Sequence, residues 1–282
     1  MEEHFKKGSV KSFDINWKKR PETLYNHWSK GAPRNQIQLA FSQHYDLFKR
    51  IINKEGKLKV LEVGCGRGSL SSYFAEDGHD CFLLDMSETV IGTAKEIFKT
   101  NGHQGSFHVG DANSMTFEDD KFDIIVSIGL LEHFENLENV INEQFRVLRK
   151  DGVLINYIVP ENLENVQKDY NWINDILKNQ SKKNNQKIAK KEDLYRSDSD
   201  SKRYIEQYKA SGFQEIYSSG VYPLPMISPS IDFPFTLMDE ESEKILIKQF
   251  NEILEKRKEN WEHPWMCEES YGQAFLVSGK KL

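Results

Sequence analysis

The chain has 282 residues and a formal net charge of -6, with 38% hydrophobic and 29% charged residues. This composition allows a sizeable core, and the acidic balance argues against a nucleic-acid binder, which needs Lys and Arg facing phosphate. We find no apolar leader, no apolar run of ~18 residues and no paired cysteine spacing, so we expect no secretory signal, membrane helix, disulfide framework or zinc site, and a cytoplasmic protein.

Residues 1–55 are predicted to form a helical cap, with a helix from about 35 to 53 whose apolar side chains recur at helical spacing. From 56 to 160, short apolar runs alternate with amphipathic segments, which is typical of parallel strands joined by right-handed crossovers. The predicted strands are Lys59–Val63, Cys81–Leu84, Ser106–Val109, Phe122–Ile128 and Val153–Val159, and the predicted helices lie near 69–77, 87–100 and 135–149. This middle region is therefore predicted to be a doubly wound α/β sheet.

Residues 161–282 are predicted to complete the sheet with two strands, Phe213–Val221 and Ala274–Val277. Cap elements are inserted at 161–200 and 222–270. The first begins as an amphipathic helix, and its Lys/Asn/Gln-rich and Ser/Asp-rich runs are typical of an exposed loop. The second opens with prolines among aromatic side chains and continues as a charged helix. Its apolar opening is expected either to wall a ligand pocket or to form an interface.

The strongest motif runs from the first buried strand into a glycine turn and a helix, Val60-Leu61-Glu62-Val63-Gly64-Cys65-Gly66-Arg67-Gly68. Glycines let the backbone turn sharply and let a ligand lie close to the main chain. A dinucleotide fingerprint would have a further glycine where Ser69 stands. Glu62 also suits a ligand that bears an ammonium group better than it suits a pyrophosphate.

Two more carboxylates follow the next strands. Asp85 ends the second strand, where a ribose diol would meet a two-oxygen acceptor, and Asp111 follows the third, where it can accept from an exocyclic amine. Taken singly, each acid is more often a turn or capping residue. Since parallel strands end at one edge of a sheet, Glu62, Asp85 and Asp111 together predict a site for a cationic, amine-bearing nucleoside.

In this order the motifs resemble those of the class I S-adenosylmethionine (SAM)-dependent methyltransferases. The matching stretches are Leu61–Gly68, Leu83–Ser87, Gly110–Ala112, Phe122–Phe134 and Arg146–Gly152. The resemblance implies a Rossmann-like, seven-stranded sheet whose last strand, 273–278, is antiparallel. It also implies SAM as cofactor and S-adenosylhomocysteine as product. It is specific for the cofactor and not for the acceptor, which we expect to be a small molecule.

The resemblance also implies roles for individual residues. The implied cofactor contacts are Glu62, Gly64, Cys65 and Gly66 at the methionine and ribose parts, Asp85 at the ribose hydroxyls, Met86 on adenine, Asp111 and Ala112 at the adenine edge, and Ile128 and Gly129 beside the reaction centre. Tyr25, Trp28 and Arg34 are further candidates, because relatives often cover the cofactor with amino-terminal helices. In the alternative, the aromatic side chains of this cap only pack it onto the core.

His133, just past the fourth strand, is the first candidate for a general base, and Glu132 is a candidate to orient it or to bind the acceptor. In the alternative, His133 packs or caps at the start of the following helix. Some relatives that methylate quinone precursors carry an acid three residues before the Glu-His pair and use a divalent metal. Gly129 stands there, so no metal is expected. His27 and His263 are weaker candidates.

Methylation of oxygen is the preferred reaction, and methylation of nitrogen is close behind. A sugar or another polar metabolite as the acceptor is a guess. Two other functions stay open. A nicotinamide-type oxidoreductase is disfavoured by the missing third glycine of the fingerprint, and a non-catalytic, SAM-binding regulatory protein is compatible with the same three carboxylates.

Overall fold

The computed structural model describes residues 27–161, 195–222 and 239–282. The strands are β1 (Lys59–Val63), β2 (Asp80–Asp85), β3 (Ser106–Val109), β4 (Phe122–Ile128), β5 (Leu148–Ile158), β6 (Gln214–Val221), β7 (Met266–Cys267) and β8 (Ala274–Lys280). The helices are α1 (Gln36–Ile52), α2 (Ser69–Glu76), α3 (Glu88–Thr100), α4 (Glu138–Val147), α5 (Ser201–Ala210) and α6 (Glu240–Arg257), and 3-10 turns cover Leu131–His133 and Glu269–Tyr271.

The strands form a single sheet in the order β3-β2-β1-β4-β5-β8-β6-β7. Neighbours from β3 to β5 pair in parallel, and β8 runs antiparallel between β5 and β6. The predicted α/β class and the antiparallel last strand are thus confirmed. Within the described residues the sheet has eight strands and not the predicted seven, because Met266 and Cys267 pair with the end of β6 as a short edge strand.

Helices cover both faces of the sheet, and each face has its own core. Helices α1, α2 and α3 pack on the face that receives Val60 and Ile124. Helices α4 and α5 pack on the other face, which receives Leu61 and Ile125. Successive side chains of a strand point to opposite faces, so a parallel strand buried on both sides is apolar along its length.

Most predicted elements are confirmed, and the differences have local causes. The predicted helix 135–149 is shorter in the structure, because a 3-10 turn precedes α4 and Leu148 already pairs with Phe122 as the first residue of β5. Helix α5 was not predicted. Most of its residues are polar, and its fully buried aromatic side chains are only Tyr204 and Tyr208, so its apolar pattern is weak. Asp200 caps the helix by accepting a hydrogen bond from the backbone N of Lys202.

The Ser/Asp-rich run before α5 is not simply exposed, as its composition had predicted, because Ser197 and Ser201 are buried. Three predicted features lie outside the described residues: the cap up to residue 26, the amphipathic helix after residue 161 and the proline-rich run from residue 223. Among the helices that the structure describes, none has the length and apolar character needed to cross a bilayer.

Candidate functional site

The glycine turn joins β1 to α2 at the edge of the sheet where the parallel strands end. Gly64, Gly66 and Gly68 have φ values of 66°, 52° and 70°, a backbone region that residues with side chains rarely adopt. An added Cβ on Gly68 would stand 2.6 Å from Leu83 Cδ2. The backbone N of Cys65 donates to the carbonyl of β2 residue 84 at 3.0 Å. The loop is therefore tight, free of side chains at three positions and fixed to the neighbouring strand.

Asp85, the last residue of β2, lies directly against this loop. Its Oδ2 accepts from the backbone N of Gly66 at 3.1 Å, and its Oδ1 accepts from the backbone N of Ser87 at 3.0 Å. The side chain is half-buried, as is that of the following Met86. Since each carboxylate oxygen can accept more than one hydrogen bond, Asp85 presents a two-oxygen acceptor beside the glycine loop.

Asp111 lies at the same edge, because the backbone N of Gly110 donates to the carbonyl O of Asp85 at 3.0 Å. Its Oδ1 accepts from the backbone N and the side-chain Nδ2 of Asn113, at 2.9 and 3.0 Å. Among the described residues no hydrogen bond to its Oδ2 is found, and the next side chain, Ala112, is buried. The structure therefore brings together the two carboxylates that were predicted to meet a ribose and an exocyclic amine.

Glu62 is placed differently from these two acids. It is buried, and its Oε2 accepts from the backbone N and the Oγ of Ser71 at 2.9 and 2.5 Å. Burial raises the pKa of Glu62 to about 7, against the lowering effect of the Ser71 hydrogen bonds. In the structure this carboxyl group joins β1 to the first turn of α2. Its contact with a ligand's ammonium group stays a prediction.

The turn after β4 forms the second side of the site. Gly129 has a φ of 69°, and its backbone N donates to the carbonyl O of Tyr157 at 2.9 Å. An added Cβ on Gly64 would stand only 2.8 Å from Leu130 Cδ1. Ile128 and Gly129 are half-buried and directly precede Leu130, which packs against the glycine loop. The turn after β4 and the glycine loop therefore border the same site.

Glu132 is buried in the 3-10 turn, where only 1% of its surface is exposed. Its Oε1 lies 3.6 Å from the place of an added Cβ on Gly129. Its buried Oε2 has no hydrogen-bond partner in the part of the chain that the structure describes. Burial raises the pKa of Glu132 to about 7, although the charge of Arg196 and the backbone N–H groups of Glu132 and Val159 lower it. A buried, unsatisfied carboxyl oxygen is costly and marks a functional candidate.

His133 points away from the turn toward the segment before α5. Its Nδ1 lies 2.7 Å from the carbonyl O of Tyr195, so we assign the ring proton to this nitrogen. Burial lowers the pKa of His133 to about 4, helped by Arg196 and opposed by the Tyr195 carbonyl. The backbone N of Ser197 donates to the carbonyl O of Glu132 at 2.8 Å, which holds the segment against the turn. His133 is therefore neutral near pH 7 and accepts a proton poorly.

The sequence did not point to two side chains near this site. Arg196 lies in a run whose composition indicated an exposed loop, and only its charge among serines and aspartates would have marked it. His44 lies in the apolar stripe of α1, and a polar residue in that stripe was the available signal. Its Nδ1 accepts from Trp265 Nε1 at 2.8 Å, and its ring centre lies 4.6 Å from that of Tyr157.

The weaker histidine candidates lie in two places. His27 is buried beside the glycine loop, with its Nδ1 2.6 Å from Ser69 Oγ, and burial together with Arg67 lowers its pKa to about 3. His263 accepts from the backbone N of Trp265 at 3.1 Å, which makes it a turn residue before β7. Among the described residues, no group of three or more His, Cys, Asp or Glu is close enough to hold a metal ion.

Of the amino-terminal candidates for cofactor binding, the structure describes Trp28 and Arg34. Trp28 packs edge-on against His103 with ring centres 4.5 Å apart, near the start of β3 and so at the other end of that strand from Asp111. Arg34 is exposed, and its backbone N donates to Gln38 Oε1 at 2.9 Å just before α1. Tyr25 lies outside the described residues.

Comparison with known proteins gives concordant results. A family model described as "Methyltransferase domain" matches residues 54–204. The uncharacterized methyltransferase YcgJ of Bacillus subtilis is 29% identical over 139 residues, which cover 48% of this chain and 55% of that protein. Tocopherol O-methyltransferase of Arabidopsis thaliana is 31% identical over 139 residues, which cover 44% of this chain and 40% of that protein. The matched region thus spans about half of these curated relatives.

The crystal structure of YcgJ from Bacillus subtilis has a similar fold. The two structures align with a TM-score of 0.53 over 84% of this chain and 97% of that one, at 18% sequence identity. At this identity the likeness concerns the fold alone. It agrees with the α/β fold described above.

Proposed function

Because the chain belongs to the methyltransferase domain family, we propose that it binds SAM and transfers the methyl group to a small-molecule acceptor. One observation carries the proposal: a side-chain-free loop, two carboxylates and a turn with an unsatisfied buried acid meet at one edge of the sheet. Open α/β sheets bind their ligands at this edge. The family also argues against a nicotinamide oxidoreductase.

The residues at this edge suit SAM by their chemistry. Each carboxylate oxygen of Asp85 accepts a hydrogen bond from a backbone N–H group and can also accept one from a ribose hydroxyl. The Oδ2 of Asp111 can accept from the adenine amine, with Met86 and Ala112 as apolar neighbours of the base. The backbone at Gly64, Cys65 and Gly66 lets the methionine part lie close to the chain.

When bound, SAM supplies a methyl group that is already activated by the positive charge on sulfur. The protein's own work is therefore to align the acceptor, exclude water and accept a proton. In the proposed arrangement Ile128 and Gly129 line the methyl side of the site. Glu132 and His133 belong to the acceptor side, since they follow in the same turn.

We propose an oxygen acceptor, with a nitrogen acceptor as the second choice. The Arabidopsis relative is itself named an O-methyltransferase. A row of rings leads from the start of α2 to β5, formed by His27, Phe41, His44, Tyr157 and Trp265. These rings are buried, with at most 9% of any of them exposed, so they pack the amino-terminal helix onto the sheet and do not indicate the kind of acceptor.

A titration of the purified chain with S-adenosylhomocysteine, with NADH as the comparison, tests the cofactor part of the proposal. Calorimetry is expected to show binding of S-adenosylhomocysteine and none of NADH. The opposite preference, or binding of neither, would refute the proposal. Appearance of S-adenosylhomocysteine when SAM and an acceptor are supplied separates an enzyme from a protein that only binds the cofactor.

A further inference from the structure

Two neighbouring titratable side chains in the turn after β4 have opposite environments. His133 has its Nδ1 engaged by the carbonyl O of Tyr195 at 2.7 Å, and burial lowers its pKa to about 4. Glu132 has a buried Oε2 without a donor among the described residues, and burial raises its pKa to about 7. A general base works best when its pKa lies near the working pH, so the environment disfavours the histidine and favours the acid.

We propose that Glu132, and not His133, accepts the proton of the methyl acceptor, an inference that rests on the proposed function. Two contacts place the carboxyl group on the reacting side. Its Oε1 lies 3.6 Å from the Cβ position of Gly129, and Leu130 packs on Gly64 of the glycine loop. Glu132, whose Oε2 has no hydrogen-bond donor among the described residues, thus lies between the glycine loop and the segment that carries Arg196.

The groups that face Glu132 come from three elements. Arg196, in the segment before α5, supplies a positive charge that favours the carboxylate form. Tyr157 of β5 and Tyr204 of α5 are phenols whose pKa is raised first by burial and further by Glu132, so both keep their protons near neutral pH. Together with a neutral His133, this leaves Glu132 as the member of this set that changes charge close to pH 7.

The proposed step conserves charge inside a buried site. As the acceptor oxygen forms its bond to the methyl carbon, the carbon–sulfur bond breaks with its electron pair on sulfur, and the hydroxyl proton passes to Glu132 Oε2. A sulfonium and a carboxylate thereby become a thioether and a carboxylic acid. Removing two opposite charges avoids leaving a single charge in a poorly solvated place.

A carboxylate base sets a requirement on the acceptor hydroxyl. Proton transfer is efficient when the two pKa values are close, and a phenol such as the tyrosine side chain has a pKa of about 10. A hydroxyl on an aliphatic chain or a sugar is a far weaker acid. A phenol is therefore the acceptor with which the role of Glu132 is tested.

Sinefungin tests the position of Glu132 without knowledge of the acceptor. In this SAM analogue, a carbon that bears a protonated amine replaces the methylated sulfur, so its extra charge marks the place of the methyl group. Calorimetry on the full chain at pH 8 compares the Kd of sinefungin with that of S-adenosylhomocysteine. We expect Glu132→Gln to lower the preference for sinefungin about tenfold or more, because a charged hydrogen bond is lost.

The matched control is Glu135→Gln, the same change at an exposed position three residues later, which is expected to keep the wild-type ratio. If the wild type binds neither sinefungin nor S-adenosylhomocysteine, the proposed function itself is refuted. If both ligands bind and Glu132→Gln keeps the wild-type ratio, or if Glu135→Gln lowers it equally, the inference is overturned.

A second measurement uses only the wild-type chain and so does not depend on the folding of a variant. The same ratio of dissociation constants is measured from pH 8 to pH 5. Glu132 is charged above its pKa, so the preference for sinefungin is expected to fall as the pH is lowered and the carboxylate gains its proton. A ratio that stays constant over this range contradicts the inference.

Discussion

The glycine loop and Asp85 meet within one strand-helix-strand unit, and the hydrogen bond from Gly66 to Asp85 spans 19 residues. The turn at residues 129–133 depends instead on a distant segment, since His133 meets the carbonyl of Tyr195 across 62 residues. The first region is built largely of backbone groups and has the half-buried carboxylates of Asp85 and Asp111 at its edge. The second buries its titratable side chains. We infer that the first region holds a common cofactor, whereas the second determines the acceptor and the proton transfer.

Asp85→Ala is expected to have the largest effect, and it tests whether the first region binds the cofactor. We expect it to weaken binding of S-adenosylhomocysteine about 100-fold or more, because it removes an acceptor for two ribose hydroxyls and a partner of the loop. Calorimetry measures this effect. Asp80→Ala is the control, since Asp80 lies at the other end of the same strand in an exposed ion pair with Lys57. Equal affinities for the two variants would show that Asp85 is not in the cofactor site.

Glu132→Gln should affect turnover and spare cofactor affinity. With a phenolic acceptor, we expect a loss of about 100-fold, typical of a removed general base, and a cofactor Kd within a few-fold of wild type. Because the pKa of Glu132 is about 7, wild-type turnover should fall as the pH drops below 7. Release of S-adenosylhomocysteine across pH 5.5–8.5 measures both effects. If turnover still falls at acidic pH in Glu132→Gln but no longer does so in His133→Asn, the general base is His133 and not Glu132.

The buried His44 should make the region around Tyr157 sensitive to acid. Burial and the charge of His263 lower its pKa from 6.5 to about 3, so its contribution is present above pH 6.5 and is lost as the pH falls toward 3. For this group alone we expect about 2 kcal/mol less stability at pH 5 than at pH 7.

Denaturant unfolding of the wild type and of His44→Gln at the two pH values checks this expectation. The glutamine amide can still accept from Trp265 Nε1, so the variant should lose less stability than the wild type on acidification. If both proteins lose the same amount between pH 7 and pH 5, the proton linkage assigned to His44 is wrong.

Gly64→Ala probes the contact between the two regions. The alanine needs a positive φ and places its Cβ 2.8 Å from Leu130 Cδ1, so the Leu130 side chain must move. Gly78→Ala is the control, because Gly78 has a φ of 87° and no atom lies within 4 Å of its Cβ position. We expect the control to cost about 1 kcal/mol of stability and Gly64→Ala to cost more, with weakened S-adenosylhomocysteine binding. Equal unfolding midpoints would contradict a tight contact.

The region of the glycine loop and Asp85 could be predicted from the sequence better than the turn at residues 129–133. Strands β1, β3 and β4 match their predicted limits because each short run ends directly before a glycine, Gly64, Gly110 or Gly129. The shared edge of parallel strands placed Asp85 beside the glycine loop. The bond between Glu62 and Ser71 depends on side-chain direction, which a strand pattern does not give. Arg196 lowers the pKa of Glu132 from a distant part of the sequence, and no local periodicity indicates that these two residues are near each other.

We propose that one edge of this sheet binds SAM with its methyl group toward the turn at Gly129, and a crystal structure of the chain with S-adenosylhomocysteine would test this binding mode. We expect the ribose hydroxyls on Asp85, the adenine amine near Asp111 and the sulfur on the side of Gly129 and Glu132. A ligand bound away from the glycine loop, or with its sulfur pointing away from Gly129, would refute the proposed binding mode.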